Sequence, residues 1–223
     1  MVLEVRAAGG FAPQFTDFRA VPTVLITSDR RSFTPAPVPA VFPGPMLQPV
    51  NVTTLSRAAV SRIDRLARAA NLDKRGVDWG VPPTADVPEL VVSYRGRVTR
   101  IASFGVGEER LTTRQRAARK KVADLLASLP SDAPSTAFAP TAVVVAARLS
   151  DPALISPDLP KPQTVDWPVD AEPITAPSGC VVVRAPAAVK LLSSARANGL
   201  FRSAGKTWEL YARPMLPGDP GCA

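Results

Sequence analysis

Leu3 and Val5 alternate with Glu4 and Arg6, the two-residue period of a strand with one buried face, and Gly9-Gly10 ends the run. The next apolar cluster, Val24-Leu25-Ile26, is followed by the polar turn Ser28-Asp29-Arg30-Arg31 and by Ser32-Phe33-Thr34, which predicts a hairpin. Pro35 to Pro49 is studded with proline, which cannot donate to a ladder, so this piece is predicted to be an edge strand or an ordered surface loop. From Leu55 the period lengthens. Leu55, Ala59, Ile63, Leu66 and Ala70 recur at helical spacing, with Thr54 or Ser56 as N-cap and Asn71 near the end. Leu90–Tyr94 and Arg97–Ile101 flank Arg95-Gly96 and predict a second hairpin. Thr112-Thr113-Arg114-Gln115 has the form of a capping box with Leu111 as staple, opening a helix with the stripe Ala118, Val122, Leu125 and Leu129 that Pro130 stops.

Residues 131–178 contain one apolar run, Thr141 to Ala147, inside Pro/Asp/Ser-rich sequence, and read as a strand or short helix within a long crossing connection. The C-terminal part predicts a strand (Cys180–Arg184), a helix from Pro186 to near Gly199 with the stripe Val189, Leu192 and Ala195, and a second strand (Lys206–Arg213). The expected fold is α+β: an antiparallel sheet with two helices on one face, plus a C-terminal strand–helix–strand unit. Residues 1–130, 131–178 and 179–223 are expected to form a lobe, a connection and a second lobe that share one sheet and pack as one body.

Composition narrows the chemistry. The chain of 223 residues is 46% apolar and 21% charged, as a globular protein is, but carries 25 prolines, about twice the usual share, so its connections are long and extended. There is no histidine, which excludes imidazole metal sites, Ser-His-Asp and Cys-His catalysis and a histidine pH switch. No catalytic residue, metal site or cofactor is expected. No run of about 18 apolar residues occurs, so no transmembrane segment is expected. The first residues pattern as a strand and not as a signal peptide, so any export signal would lie upstream of Val2.

The two cysteines, Cys180 and Cys222, carry the redox argument. Cys222 sits in an exposed-looking Pro-Gly-Asp-Pro-Gly-Cys tail, where a free thiol is a liability outside the cytosol. A bridge to Cys180 would be worth about 3–4 kcal/mol in the chain-entropy account and would imply an oxidising compartment. Two reduced thiols in a cytosolic protein are the alternative.

Gly9-Gly10-Phe11, Phe42-Pro43-Gly44-Pro45, Gly179-Cys180-Val181, and Trp208 followed by Arg213-Pro214-Met215-Leu216-Pro217-Gly218-Asp219-Pro220-Gly221-Cys222 span nearly the whole chain. In these segments it resembles a group of exported, lipoprotein-like actinobacterial proteins of unassigned function. The resemblance implies an extracellular or cell-envelope location and a paired Cys180–Cys222. This sequence has no lipid-accepting cysteine, so lipid anchoring would depend on a segment preceding it.

Ser203-Ala204-Gly205-Lys206 has the Ser-x-x-Lys form of acyl-transfer enzymes, but it lies between a helix and a strand without the partner motifs, so a solvent-exposed turn is the better reading. Gly205-Lys206-Thr207 is followed by a strand pattern, not by the helix whose N-terminus a phosphate loop needs. Gly105-Val106-Gly107 lacks a third glycine and is followed by Glu108-Glu109, which would repel phosphate. Trp208 reads as core, and Trp79 and Trp167 as pins for the proline-rich connections.

The positive signal is charge. The net charge is +8, and the excess concentrates at the two helices: Arg57, Arg62, Arg65, Arg68, Lys74 and Arg75 on the first, Arg110, Arg114, Arg116, Arg119, Lys120 and Lys121 on the second. If both helices lie on one sheet face, their outer surfaces form a basic plate for anionic lipid headgroups, phosphate-bearing envelope polymers or an acidic protein. A solvated helix face that keeps the protein soluble is the plainer account. Nucleic acid is not expected, since basic and aromatic residues do not interleave. The expected function is therefore a non-enzymatic, exported cell-envelope binding or scaffolding protein with a basic helical face. Two alternatives stand beside it: a protein-interaction or inhibitor module docking through Pro35–Pro49, and a serine hydrolase using Ser203 and Lys206.

Overall fold

A computed structural model describes residues 2–11, 15–129, 134–151, 158–174 and 180–222. The chain divides into two units that interleave in sequence: Met1–Asp17, Pro22–Pro35 and Val50–Ala137 form the first, and Phe18–Val21, Ala36–Pro49 and Phe138–Ala223 the second. A four-residue helix, α1 (Thr16–Arg19), spans one of the divisions.

The first unit is a seven-stranded antiparallel sheet carrying two helices. Its strands are β1 (Leu3–Ala8), β2 (Val24–Ile26), β3 (Arg31–Pro35), β4 (Val50–Thr54), β5 (Glu89–Tyr94), β6 (Arg97–Ile101) and β7 (Thr136–Ala137), in the order β6-β5-β1-β2-β3-β4-β7. Alternate residues of its strands, Leu3 and Val5, Val24 and Ile26, Val92 and Tyr94, and Ile101, point into one core. The helices α2 (Arg57–Ala69) and α3 (Thr113–Ala127) bury Ile63 and Ala67, and Val122 and Leu125, in that same core. Both helices therefore lie on one face of the sheet, as the apolar stripes predict. The ends are capped as the sequence indicates. The Ser56 hydroxyl accepts from the Ala59 N–H, and Thr112 and Gln115 bond reciprocally in a capping box. The Arg95-Gly96 turn closes β5 against β6, both residues having positive φ (48° and 81°), the requirement of a two-residue hairpin loop that glycine meets without strain.

The second unit is a five-stranded sheet with one helix. It contains β8 (Val143–Leu149), β9 (Thr164–Asp166), β10 (Cys180–Val183), β11 (Leu200–Ser203) and β12 (Lys206–Pro214), in the order β10-β8-β12-β11-β9. All neighbours are antiparallel except the β9–β11 pair. Helix α4 (Pro186–Ser194) packs Ala188, Val189 and Leu192 against Val143, Val145, Trp208 and Leu210.

Several expectations are corrected. The α+β class holds, but the single shared sheet is two sheets. Residues 131–178 are not a bare connection: they supply β7 to the first sheet and β8 and β9 to the second. The run at Val143–Val145 is a strand, because its β-branched side chains suit a pleated surface buried between β10 and β12. The C-terminal unit is a strand, a helix and then a hairpin, and α4 stops at Ser194, short of Gly199. It stops there because Ala195 turns extended (ψ 158°) and the following chain pairs with residues 44–46: the Met46 N–H donates to the Ala195 carbonyl, and the Ala197 N–H to that of Gly44. The same pairing takes the Pro35–Pro49 segment partly out of solvent. Met46 and Leu47 are buried in the second core. Pro130, Gly179 and the 12–14, 152–157 and 175–178 stretches lie outside the described residues.

Cys180 and Cys222 are joined in a disulfide, their Cα atoms 5.4 Å apart. Trp208 and Trp167 are core residues, the latter edge-on to Phe201 with its indole N–H donating to the Glu172 carbonyl. Trp79 packs partly buried against the first core.

Candidate functional site

The basic residues divide into three groups. Arg57, Arg62 and Arg65 on α2 and Arg114 and Lys121 on α3 are exposed and make no hydrogen bond or ion pair with the described residues. Arg68, Arg116 and Lys120 are exposed but engaged: Arg68 with Asp64 (3.1 Å), Lys120 with Asp124 (2.8 Å), and Arg116 with the carbonyls of Leu111 (2.6 Å) and Glu109 (3.2 Å). Arg119 leaves the basic plate altogether. It is fully buried (0% exposed), so its place among the surface-binding residues is corrected.

Arg119 is instead the polar centre of the first unit. Its guanidinium has five N–H donors, and five acceptors surround it. Nε donates to the Trp79 carbonyl (2.7 Å), Nη2 to those of Gly80 (2.9 Å) and Ala102 (2.8 Å), and Nη1 to that of Ser103 (3.3 Å) and to Glu108 Oε1 (3.2 Å). One side chain thus ties α3 to the loop after α2 and to the segment after β6. Gln115 completes the clamp by donating to Asp78, whose other oxygen accepts the Gly80 N–H. Gly80 has φ +64°, and a Cβ there would lie 2.7 Å from Leu111 Cδ2, so the carbonyl that Arg119 needs is presented from a position only glycine fills without strain. The Gly105-Val106-Gly107 run belongs to this structure: the Gly105 N–H donates to Glu108 Oε1, so the protein's own carboxylate occupies the turn. Lys74, Arg75 and Arg110 lie outside the helices assigned to them, the first two in the turn after α2 and Arg110 in a 3-10 turn (Glu108–Arg110) before α3.

A second network lies where α2 meets the β5–β6 turn. Asp64 Oδ1 accepts from the Tyr94 hydroxyl (2.5 Å) and from Arg95 Nη2 (2.8 Å), while Oδ2 accepts from Arg68 (3.1 Å). Burial pushes the Asp64 carboxyl up, but the Tyr94 hydrogen bond and the charges of Arg95 and Arg68 outweigh it and hold the group below its ordinary range. Burial and the hydrogen bond to Asp64 push the Tyr94 phenol up. A carboxyl lowered in the folded state contributes stability that is complete above the unfolded value and is lost as pH falls through the folded one. In Asp64→Asn the loss of urea resistance between neutral pH and about pH 3 is accordingly expected to be smaller than in the wild type, so that the two midpoints converge in acid. Parallel titrations with a constant difference between the two proteins would contradict this account of Asp64.

Beside this network is an open recess of about 420 Å³ lined by Asp73, Arg75, Tyr94, Arg95, Arg97 and Val98. Arg95 and Arg97 carry no special mark in the sequence, because each looks like an ordinary turn or strand arginine. The one available signal is that a two-residue turn places both beside the strand end that Tyr94 occupies.

Ser203 and Lys206 close the β11–β12 hairpin as a directly opposed pair, with Ala204 and Gly205 at positive φ, and no hydrogen bond joins hydroxyl to amine. This is the turn expected there. Among the described residues no group of three or more acidic or cysteine side chains could hold a metal ion, and no helix is long and apolar enough to cross a membrane. No protein-family model, curated protein or solved structure matches the chain.

Proposed function

We propose that this is an exported cell-envelope protein that binds or scaffolds anionic partners, envelope polymers or lipid headgroups, through the basic surface of its first unit. The observation that carries the reading is a set of exposed cations, Arg57, Arg62, Arg65 and Lys121, that make no hydrogen bond or ion pair with the described residues, on two helices that share one sheet face. Surface arginines without carboxylates raise the local potential that attracts anions. The disulfide supports a compartment outside the reducing cytosol.

Reversing Arg57, Arg62 and Arg65 to glutamate changes the charge of that face by six units and is expected to lower association with anionic vesicles and isolated cell walls at least tenfold at low salt, at about 1 kcal/mol per surface charge. Co-sedimentation across a salt series reads this out. Unchanged binding would remove the proposal.

A second reading has one observation in its favour. In the Pro35–Pro49 segment Val38 (40%), Val41 (58%) and Phe42 (58%) stay exposed, and Phe42 lines a groove of about 170 Å³ with Leu159, Pro160, Pro162 and Tyr211. Exposed apolar groups gathered at one groove mark a contact surface for a protein partner.

A further inference from the structure

We infer that the recess between the Asp73–Arg75 turn and the β5–β6 turn is a phosphate site, whose ligand is a phosphomonoester or other terminal phosphate group. The inference rests on the anion-binding reading above and gives it a location and a ligand class.

Four observations carry it. The charged residues lining the recess are Arg75, Arg95, Arg97 and Asp73, so three positive charges and one negative leave a net of +2, the complement of a phosphomonoester dianion. All three cations are arginine and none is lysine. A general solubilising charge can be either residue, whereas planar forks of N–H donors suit the oxygens of phosphate.

Arg75 and Arg97 line the recess and make no hydrogen bond or ion pair with the described residues, so their donors are not committed elsewhere among them. Arg95 is held in place: it donates to Asp64 and lies over the Tyr94 ring, 5.7 Å from its centroid. The frame is also fixed. Arg97 stands directly across from Tyr94 in the hairpin register, so both side chains leave the sheet on the helix-bearing side, and Arg97 is half-buried there. Tyr94 is itself immobilised by burial and by its hydrogen bond to Asp64, giving the recess a rigid wall. Arg95 is thus held beside a rigid wall, which lowers the ordering cost of binding for that donor, while Arg75 and Arg97 supply uncommitted ones.

The chain also makes the test clean. It has no histidine and its two cysteines are bridged, so no side chain ordinarily titrating between pH 5.5 and 8 is present, and a pH dependence shown by phosphate but not by sulfate reports the ligand's own proton. The charged groups facing a bound anion, Asp73, Arg75, Arg95 and Arg97, with Asp64 and Arg68 behind them, are carboxylates and guanidiniums.

The experiment is a titration of the full chain with glycerol phosphate at constant ionic strength, followed by amide chemical shifts and by calorimetry, with sulfate as the comparison. Saturable shifts are expected at Arg95, Gly96 and Arg97. Affinity is expected to weaken severalfold from pH 7.5 to about pH 5, as a phosphomonoester with second pKa about 6 takes up its proton. Sulfate is expected to show no such trend. Arg75→Ala with Arg97→Ala is expected to weaken phosphate binding about tenfold or more, while Arg97→Lys, which keeps the charge and loses the fork, recovers part of it. Because neither arginine has a hydrogen-bond or ion-pair partner among the described residues, circular dichroism of the variants should match the wild type.

Vesicles bearing a phosphomonoester headgroup separate the sources: binding to them as well as to free glycerol phosphate points to a membrane ligand, binding to the free compound alone to a soluble or polymer-borne one. The inference is overturned if glycerol phosphate gives no saturable shift at 95–97 or if the double variant binds as the wild type does. If the recess variant keeps anion binding while the Arg57/Arg62/Arg65 reversal loses it, the recess assignment fails and the wider reading stands. If neither variant changes binding, both fail.

Discussion

Replacing Arg119 by methionine is expected to destabilise the first unit by about 3–5 kcal/mol, the cost of breaking a buried, fully paired charge from one side. Methionine keeps most of the apolar stem that α3 buries at this position. What it removes is the donor set for the Trp79, Gly80, Ala102 and Ser103 carbonyls and for Glu108. Those acceptors stay in place around a site with no exposure, and each unsatisfied one costs about 1–3 kcal/mol, partly relieved as the loops relax. With a drop of about 2–4 °C per kcal/mol in a chain of this length, the thermal midpoint of the affected transition should fall by roughly 6–20 °C. Urea unfolding followed at Trp79, which contributes one of the carbonyls, reads the effect locally. A loss under about 1 kcal/mol would show that the network is not what holds the 79–80 and 102–108 segments to α3. Glu108→Gln, which keeps an acceptor oxygen and removes the charge, should cost less than Arg119→Met.

The second large effect is expected at the C-terminal tail. Removing the bridge as Cys180→Ser with Cys222→Ser takes away a cross-link between positions 42 apart, worth about 4 kcal/mol in the chain-entropy account. Yet the tail should remain docked in the native state. Arg213 pairs with Asp219 and donates to the Gly221 carbonyl (3.0 Å), and the Gly221 N–H donates to Asp219 Oδ1 (2.8 Å). Asp219 and Arg213 are both largely buried, so the pair is screened less than a surface one. The bridge then acts mainly on the unfolded chain. The denaturation midpoint of the second unit should drop markedly while the Gly221 amide keeps its native shift and its exchange protection. Loss of that native shift in the double variant would assign docking to the disulfide. Arg213→Ala in the oxidised protein is the complement, expected to free the Gly218–Gly221 segment while the sulfurs stay joined.

Elements whose signal is local were legible in the sequence. The β5–β6 hairpin follows from Arg95-Gly96 between two strand patterns, and the start of α3 from Thr112 and Gln115, because turn and cap chemistry act within a few residues. β4 was not legible: Val50–Thr54 follows a proline-rich stretch and runs into a helix cap, and only its register with β3 makes it a strand. β9 is three residues long and exists because it pairs in parallel with β11. Arg119 was misread for a related reason. It lies three residues before Val122 and seven before Leu126, on the edge of the apolar stripe, and charge alone put it on the surface. Its burial depends on four carbonyls brought by loops 16 to 40 residues away. Arg95 and Arg97 were equally invisible, and Arg75 was read as part of the first helix, since these residues line one recess only when α2 and the hairpin share a core.

The amino-acid order alone determined the α+β class, the placement of α2 and α3 on one sheet face, the absence of imidazole chemistry and the excess of positive charge, since periodicity, capping and composition are properties of neighbours and of sums. Tertiary structure decided that there are two sheets, that the tail sulfurs are joined, that Arg119 is a buried tie, and that three other arginines surround one recess. Each of these is a meeting of groups far apart in the chain. It is set by which strands complete each other's hydrogen bonds and which carbonyls need a donor, and no local pattern records that.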